Sequence, residues 1–122
     1  MSYDIAFGVE TVCANNDGEN FVEIGYPKLD SPTYNLRDMF VAACDWNFEQ
    51  RKWYKLEDVL PNISRGIFEL TNNRTAYEKY SPKNGFGNID DAIAVLQSMV
   101  EWVEEHKSSL YLWPTEALWI RW

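Results

Sequence analysis

The residues ALWIRW, at positions 117–122, decide how the rest of the chain is organised. In an extended strand, alternate side chains point to opposite faces of the sheet. One face of this segment carries the apolar residues Leu118, Ile120 and Trp122. The other face carries Ala117, Trp119 and Arg121. The segment therefore predicts a structural strand with one face beneath helices, and Trp119 is the ring expected to stay most exposed.

Two earlier segments show the same alternation and predict the partners of this strand. They are residues 3–9, YDIAFGV, and residues 21–30, FVEIGYPKLD. Between them, Asp17-Gly18 favours a tight turn, because glycine adopts a positive φ at no steric cost. The N-terminal part of the chain therefore predicts an antiparallel hairpin.

Three segments between the hairpin and the last strand have the i, i+3, i+4 apolar spacing of amphipathic helices. They cover residues 35–46, 56–72 and 89–106. In the second helix, Pro61 is expected in the first turn, where its missing N–H is harmless. Gly66 predicts a close approach by another element, since glycine inside a helix otherwise costs about 1 kcal/mol. Asn88 is the expected N-cap of the third helix.

The order of elements is β-β-α-α-α-β, which predicts a single α+β domain over residues 1–122. In this fold, a small antiparallel sheet made of the N-terminal hairpin and the C-terminal strand packs against about three helices. Residues 45–58 are interpreted as a connection with aromatic anchors. Residues 72–80 are either a further short helix or an irregular link.

Composition restricts the class of protein. Of the 122 residues, 46% are hydrophobic and 25% are charged, which is typical of a globular domain. No stretch approaches the roughly 18 apolar residues of a membrane span, and MSYDIAFGVE lacks a signal-peptide pattern. The two cysteines, Cys13 and Cys44, fit a reducing compartment. We therefore expect a cytoplasmic protein with no membrane partner.

The formal net charge is −8, with acidic residues concentrated toward both ends of the chain and a faintly basic middle. Because each phosphate contact requires a cation, this charge argues against direct binding to nucleic acid. It favours either solubility alone or a protein partner with a basic surface.

Few patterns in the chain point to catalysis or to a cofactor. His106 is the only histidine, and a cation is favourable at the end of a helix. A zinc site needs several Cys or His ligands at short spacing, which the sequence lacks. NNDGEN, residues 15–20, does not match a calcium loop, and NGFGN, residues 84–88, lacks the lysine of a phosphate loop. We therefore expect no catalytic residue, metal or cofactor, and interpret the chain as not an enzyme.

Three stretches carry a resemblance to a known group of proteins. They are SPTYNLRDMFVAACDWNFEQ at 31–50, RGIFELTNNRTAYEKYSPKNGFG at 65–87, and LWIRW at 118–122. The chain resembles small, uncharacterised proteins of bacteriophages and mobile elements of Gram-positive bacteria. This resemblance implies a setting in which small acidic domains inhibit host defence systems, anti-CRISPR proteins among them.

The leading hypothesis is a non-enzymatic inhibitor that blocks a basic, nucleic-acid-binding surface of a host defence protein. Its expected contacts are acidic residues on the polar side of the last helix, with an aromatic anchor on the last strand. The acidic residues are Asp90, Glu101, Glu104 and Glu105, and the anchor is Trp119. Whether the acidic face is functional or only solubilising is left open, as is the choice between monomer and homodimer.

Two alternatives belong to other classes. In a nucleotide-binding protein, a base would stack on Trp46, Trp53 or Tyr54. The phosphate would meet Arg65 or the backbone amides near Gly85, Gly87 and Asn88. The other alternative is a structural or assembly subunit.

Overall fold

The structure is a computed structural model that describes residues 4–10, 21–32, 34–83, 87–107 and 117–122. The strands are β1 (Ala6–Glu10), β2 (Phe21–Gly25), β3 (Tyr54–Lys55) and β4 (Leu118–Arg121). The α-helices are α1 (Arg37–Cys44), α2 (Leu56–Asn72), α3 (Arg74–Tyr77) and α4 (Ile89–Lys107). Single 3₁₀ turns at Tyr34–Leu36 and Glu78–Tyr80 precede α1 and follow α3. The predicted α+β class is confirmed.

The four strands form one antiparallel sheet in the order β2-β1-β4-β3. The predicted hairpin is confirmed by the pairing of β1 with β2, while its Asp17-Gly18 turn lies outside the described residues. β4 lies between β1 and β3, with Phe7 and Tyr54 both opposite Ile120. The closing strand is therefore central to the sheet.

β3 corrects the interpretation of residues 45–58 as a connection only. Tyr54 and Lys55 pair with Ile120 and Trp119 of β4 before the chain enters α2. The strand is two residues long, so it has no alternation from which a sequence could predict it. It exists because the free edge of β4 supplies hydrogen-bond partners for the backbone that precedes α2.

One face of the sheet is buried beneath the helices, as the alternation in the last strand predicts. Leu118, Ile120 and Trp122 are at most 2% exposed. The side chains that alternate with them, Ala117, Trp119 and Arg121, are only partly exposed. From α4, the Trp102 ring stacks on Phe7 of β1 with 4.0 Å between ring centroids.

The close approach predicted at Gly66 is confirmed. Gly66 in α2 is covered by the side chain of Cys44 from α1, and Leu96 of α4 lies on the same spot. A Cβ atom built there would lie 3.0 Å from Leu96 Cδ1 and closer still to Cys44 Sγ. Glycine thus allows three helices to meet at one point.

The end of α1 is held by polar side chains of α2. Asn62 Nδ2 donates to the Cys44 carbonyl at 2.9 Å, and Arg65 Nε donates to the Ala43 carbonyl at 3.3 Å. Asp45, which follows α1, adopts a left-handed conformation with φ of 53°. These bonds satisfy carbonyls that a helix end leaves without an intrahelical partner.

The start of α4 confirms Asn88 as an N-cap and forms a reciprocal capping box. Asp91 N donates to Asn88 Oδ1 at 2.9 Å, and Asn88 N donates to Asp91 Oδ2 at 3.0 Å. The prediction for Pro61 is wrong, because α2 begins at Leu56 and places the proline inside the helix. The ring therefore removes an N–H that would bond the Glu57 carbonyl.

Candidate binding site

The four predicted acidic residues on α4 do not form one cluster. Asp90 and Glu101 are eleven positions apart, which is about 16 Å along a helix. Arg74 Nη1 donates a hydrogen bond to the Asp90 carboxylate at 2.9 Å, and the Glu104 carboxylate lies 3.7 Å from Lys107 Nζ. Glu101 and Glu105 have no cation partner among the residues that the structure describes. They are therefore the two carboxylates of this set that remain available to a partner.

Glu101 and Glu105 line a cavity of about 300 Å³ beside the segment that follows β2. A second cavity, of about 410 Å³, lies between the same segment and the N-terminal half of α4. Lys28 lines both cavities, so the two lie next to each other along α4, beside residues 26–32. The pair of cavities is treated as one groove. We call it the α4 groove.

One side of α4 supplies seven of the fifteen residues that line the α4 groove. The helical spacing of i, i+3, i+4 and i+7 places these residues on the same side. They are Asp91, Ala94, Val95, Ser98, Glu101, Trp102 and Glu105. The groove therefore runs along the helix with apolar residues in its first half and carboxylates at both ends.

Trp102 is a fixed wall of the α4 groove. Its ring is stacked between Phe7, at 4.0 Å, and His106, at 5.0 Å between centroids. Gly25 leaves the space that the indole occupies, since a Cβ there would lie 2.6 Å from Trp102 Nε1. The wall is thus positioned by the sheet as well as by the helix.

Tyr26 stands at the same end of the groove and is tied to the sheet. Its hydroxyl donates to the Glu23 carboxylate, which also pairs with Arg121 of β4. The hydrogen bond to Glu23 raises the pKa of Tyr26, and the bond from Tyr26 lowers the pKa of Glu23. Glu23 therefore stays ionised at neutral pH and holds the Tyr26 ring in place.

Ser98 is the one buried polar residue among the described residues, at 4% exposed. Its hydroxyl donates to the Val95 carbonyl at 2.7 Å, within α4. The Ser98 hydroxyl proton is thus hydrogen-bonded within the protein. The hydroxyl oxygen can still accept a hydrogen bond from a group in the groove, which Ser98 lines.

Trp119, the predicted aromatic contact, lies on the opposite face of the sheet. Its ring meets Phe21 edge-on at 4.8 Å, and Phe21 stacks on Trp53 at 5.3 Å. The Arg121 guanidinium covers Trp53 at 5.1 Å. The predicted acidic and aromatic contacts therefore belong to different faces, and the structure does not bring them together.

The residues of the nucleotide alternative are spread over several places. Trp46 and Tyr54 pack on Trp122, at 4.3 and 5.5 Å, whereas Trp53 lies on the outer face with Phe21. Arg65 is bonded to the end of α1. Gly87 and Asn88 precede α4, and Gly85 lies outside the described residues.

Reactive groups are not gathered in the described part of the chain. No group of three His, Cys, Asp or Glu side chains able to hold a metal ion occurs within these residues. Cys44 is buried, and burial raises the pKa of its thiol to about 12. Such a thiol is protonated at neutral pH and is a poor nucleophile.

Sequence reasoning missed Tyr26, Leu29 and Trp102 as groove residues. One signal was present, because Trp102 follows Glu101 and shares a helical face with Ser98 and Glu105. No sequence pattern links that face to Leu29, which reaches it only through the course of the chain after β2.

Comparisons of the chain with protein-family models, curated proteins and solved structures give no match. Across the described ranges, none of the helices is both long and apolar enough to cross a membrane.

Proposed function

We propose that the chain is a non-enzymatic binding protein that occupies a basic surface of a protein partner. The observation that supports this is the side of α4 where Glu101 and Glu105 line the α4 groove without a cation partner in the described residues. Both are exposed, whereas the apolar walls beside them are fixed by packing. Exposed carboxylates steer a basic partner, and apolar contacts hold it.

The resemblance to phage and mobile-element proteins supports a more specific proposal. The partner is a host defence protein, and the acidic face blocks its nucleic-acid-binding surface. A basic surface that attracts phosphates also attracts carboxylates, so the two compete for the same cations. The inhibitor needs no chemistry of its own for this effect.

Affinity purification at two salt concentrations tests the charge-driven contact. The tagged chain is incubated with a lysate of a Gram-positive host at about 0.05 M and about 0.5 M salt, because salt screens exposed charges. We expect wild type to retain a basic protein at low salt only. The variant Glu101→Gln/Glu105→Gln should lose it.

The matched control is Glu57→Gln/Asp58→Asn, which removes the same charge from exposed positions on α2. It should retain the partner as wild type does. Equal loss of the partner by both variants would contradict the proposal, because net charge rather than this surface would then explain binding. Full retention by Glu101→Gln/Glu105→Gln would contradict it as well.

The inhibitor proposal has its own readout. Expression of the chain in a defence-positive host should raise the plaquing efficiency of a phage that the defence restricts. Glu101→Gln/Glu105→Gln should abolish the increase and the α2 control should not. An unchanged plaquing efficiency with wild type would reject the defence target while leaving the binding assay to judge the contact.

One cavity favours nucleotide binding as a second candidate function. It measures about 400 Å³ and is lined by Arg37 and by the aromatic residues Trp46 and Phe48, with the Glu49 carboxylate on the same lining. Arg37 Nη1 also lies 3.6 Å from the Asp38 carboxylate. A ligand that binds only the folded state raises the melting temperature. If this cavity binds a nucleotide, adding a nucleotide should raise the melting temperature of wild type. Arg37→Gln should abolish this rise.

A further inference from the structure

We propose that the α4 groove is the docking site for a basic amphipathic helix of the partner. This inference rests on the proposed function and names the part of the partner that is bound. The groove has the length, the apolar walls and the charge that such a helix requires.

The length of the groove fits about four turns of helix. Its α4 residues run from Asp91 to Glu105, which is about 21 Å at 1.5 Å per residue. Ala94 lines the first cavity and Glu101 lines the second. The two residues are seven positions, or about 11 Å, apart along α4, which matches side chains at i and i+7 of a bound helix.

The walls of the groove offer apolar surface to such side chains. Tyr26 and Leu29 are 54% and 43% exposed, and are two of the four large hydrophobic residues exposed in the described ranges. Leu36 and Val95 close the floor of the first cavity and are buried. Ala94 presents only a methyl group, which leaves room for an incoming side chain.

The charge along the groove selects a basic occupant. Four carboxylates line it, Asp30, Asp91, Glu101 and Glu105, against the single ammonium group of Lys28. The net formal charge of these five groups is −3, so the groove repels an acidic segment or a nucleic-acid strand. A helix with lysines beside its apolar stripe satisfies both the walls and the carboxylates.

A labelled 14-residue peptide of leucine and lysine, with leucines on one helical face, is the probe. Two matched peptides separate the contributions: glutamate replaces lysine in one, and serine replaces leucine in the other. Fluorescence anisotropy at low salt measures binding to the full chain. We expect the leucine–lysine peptide to bind at least about tenfold more tightly than either matched peptide.

Two variants fill or weaken the groove without changing its charge. Ala94→Trp should occupy the first cavity and weaken peptide binding by about tenfold or more. Leu29→Ser removes an apolar wall from an exposed position, and should weaken binding even if Ala94→Trp does not fold. The control Phe68→Ser removes a ring that is 61% exposed on α2 and should bind as wild type does.

The outcomes separate this inference from the proposed function. Unchanged peptide affinity in Leu29→Ser, or equal affinity for the serine–lysine peptide, would overturn the groove as the docking site. If Glu101→Gln/Glu105→Gln still loses the lysate partner in that case, the proposed function is retained and only the groove as docking site is rejected. If that double variant keeps both peptide and partner, the proposed function fails as well.

Discussion

Gly66→Ala should destabilise the protein, although alanine is the better helix former. In an exposed helix, this change is worth about 1 kcal/mol in favour of the folded state. In α2, the added methyl group would meet Cys44 Sγ and Leu96 Cδ1, the latter at 3.0 Å. The sign of the effect therefore depends on whether those two side chains can move away.

Neither side chain borders solvent, and the cavity that Leu96 lines is only about 10 Å³. Cys44 and Leu96 are both 0% exposed, so a rotation of either one displaces other core atoms. Overpacking of a well-filled core costs about 1–3 kcal/mol, and a clash with two buried partners favours the upper end. After subtraction of the helix-propensity gain, Gly66→Ala should lower the free energy of unfolding by about 2 kcal/mol.

Urea unfolding followed by far-UV circular dichroism measures this difference, with an unchanged m-value as the check on a common unfolded state. Ser64→Ala, at an exposed position of α2, is the control and should stabilise by about 0.5 kcal/mol. Cys44→Ala leaves only a Cβ at 3.4 Å from the new methyl group. In the Cys44→Ala background, Gly66→Ala should therefore cost much less stability. The double-mutant cycle should give a coupling free energy of about 2 kcal/mol between the two positions. A stabilised Gly66→Ala single variant would refute the reasoning.

Three further predictions concern the core and the helix cap. Burial raises the pKa of Cys44 to about 12, so from pH 9 upward the folded state keeps a proton that the unfolded chain releases. The free energy of unfolding should therefore fall by up to about 1.4 kcal/mol per pH unit, and Cys44→Ala should remove this part of the slope in urea titrations. Trp122→Ala empties a position that is 2% exposed and should cost about 3–5 kcal/mol; a loss below 1 kcal/mol would contradict its place in the core. Asn88→Ala should cost about 1 kcal/mol while Asn88→Asp keeps the cap, and equal melting temperatures for the two would argue against the capping box.

The fold could be predicted from the sequence wherever one element carries its own periodicity. The alternation at Leu118, Ile120 and Trp122 identified the buried face of β4 correctly. The residues around Asn88 identified the start of α4, because capping is satisfied within a few residues. β3 could not be predicted, since it depends on backbone pairing with a strand more than sixty residues away. The predicted bounds of α2, 56–72, are confirmed, but Pro61 lies five residues after its start and therefore beyond the first turn.

The candidate site could be predicted only in part. Glu101 and Glu105 were identified from the polar side of α4, but the sequence grouped them with Asp90 and Glu104, which pair with cations. Trp119 was grouped with them too, although it lies on the outer face of the sheet. The packing of the elements decides which carboxylates form salt bridges and which residues share a surface. The number of charged residues in the sequence contains no such information.

The sequence by itself determined the class of fold, the helical and strand faces and the acidic surface of the last helix. These features follow from periods of two and 3.6 residues, which are local properties of the backbone. Only the tertiary structure decided that residues 26–32 run beside α4 and create a groove there. That arrangement depends on Gly25 making room for Trp102, a contact between residues far apart in the chain. Contacts of this kind arise when the hydrophobic faces of separate elements are buried together, which no single segment encodes.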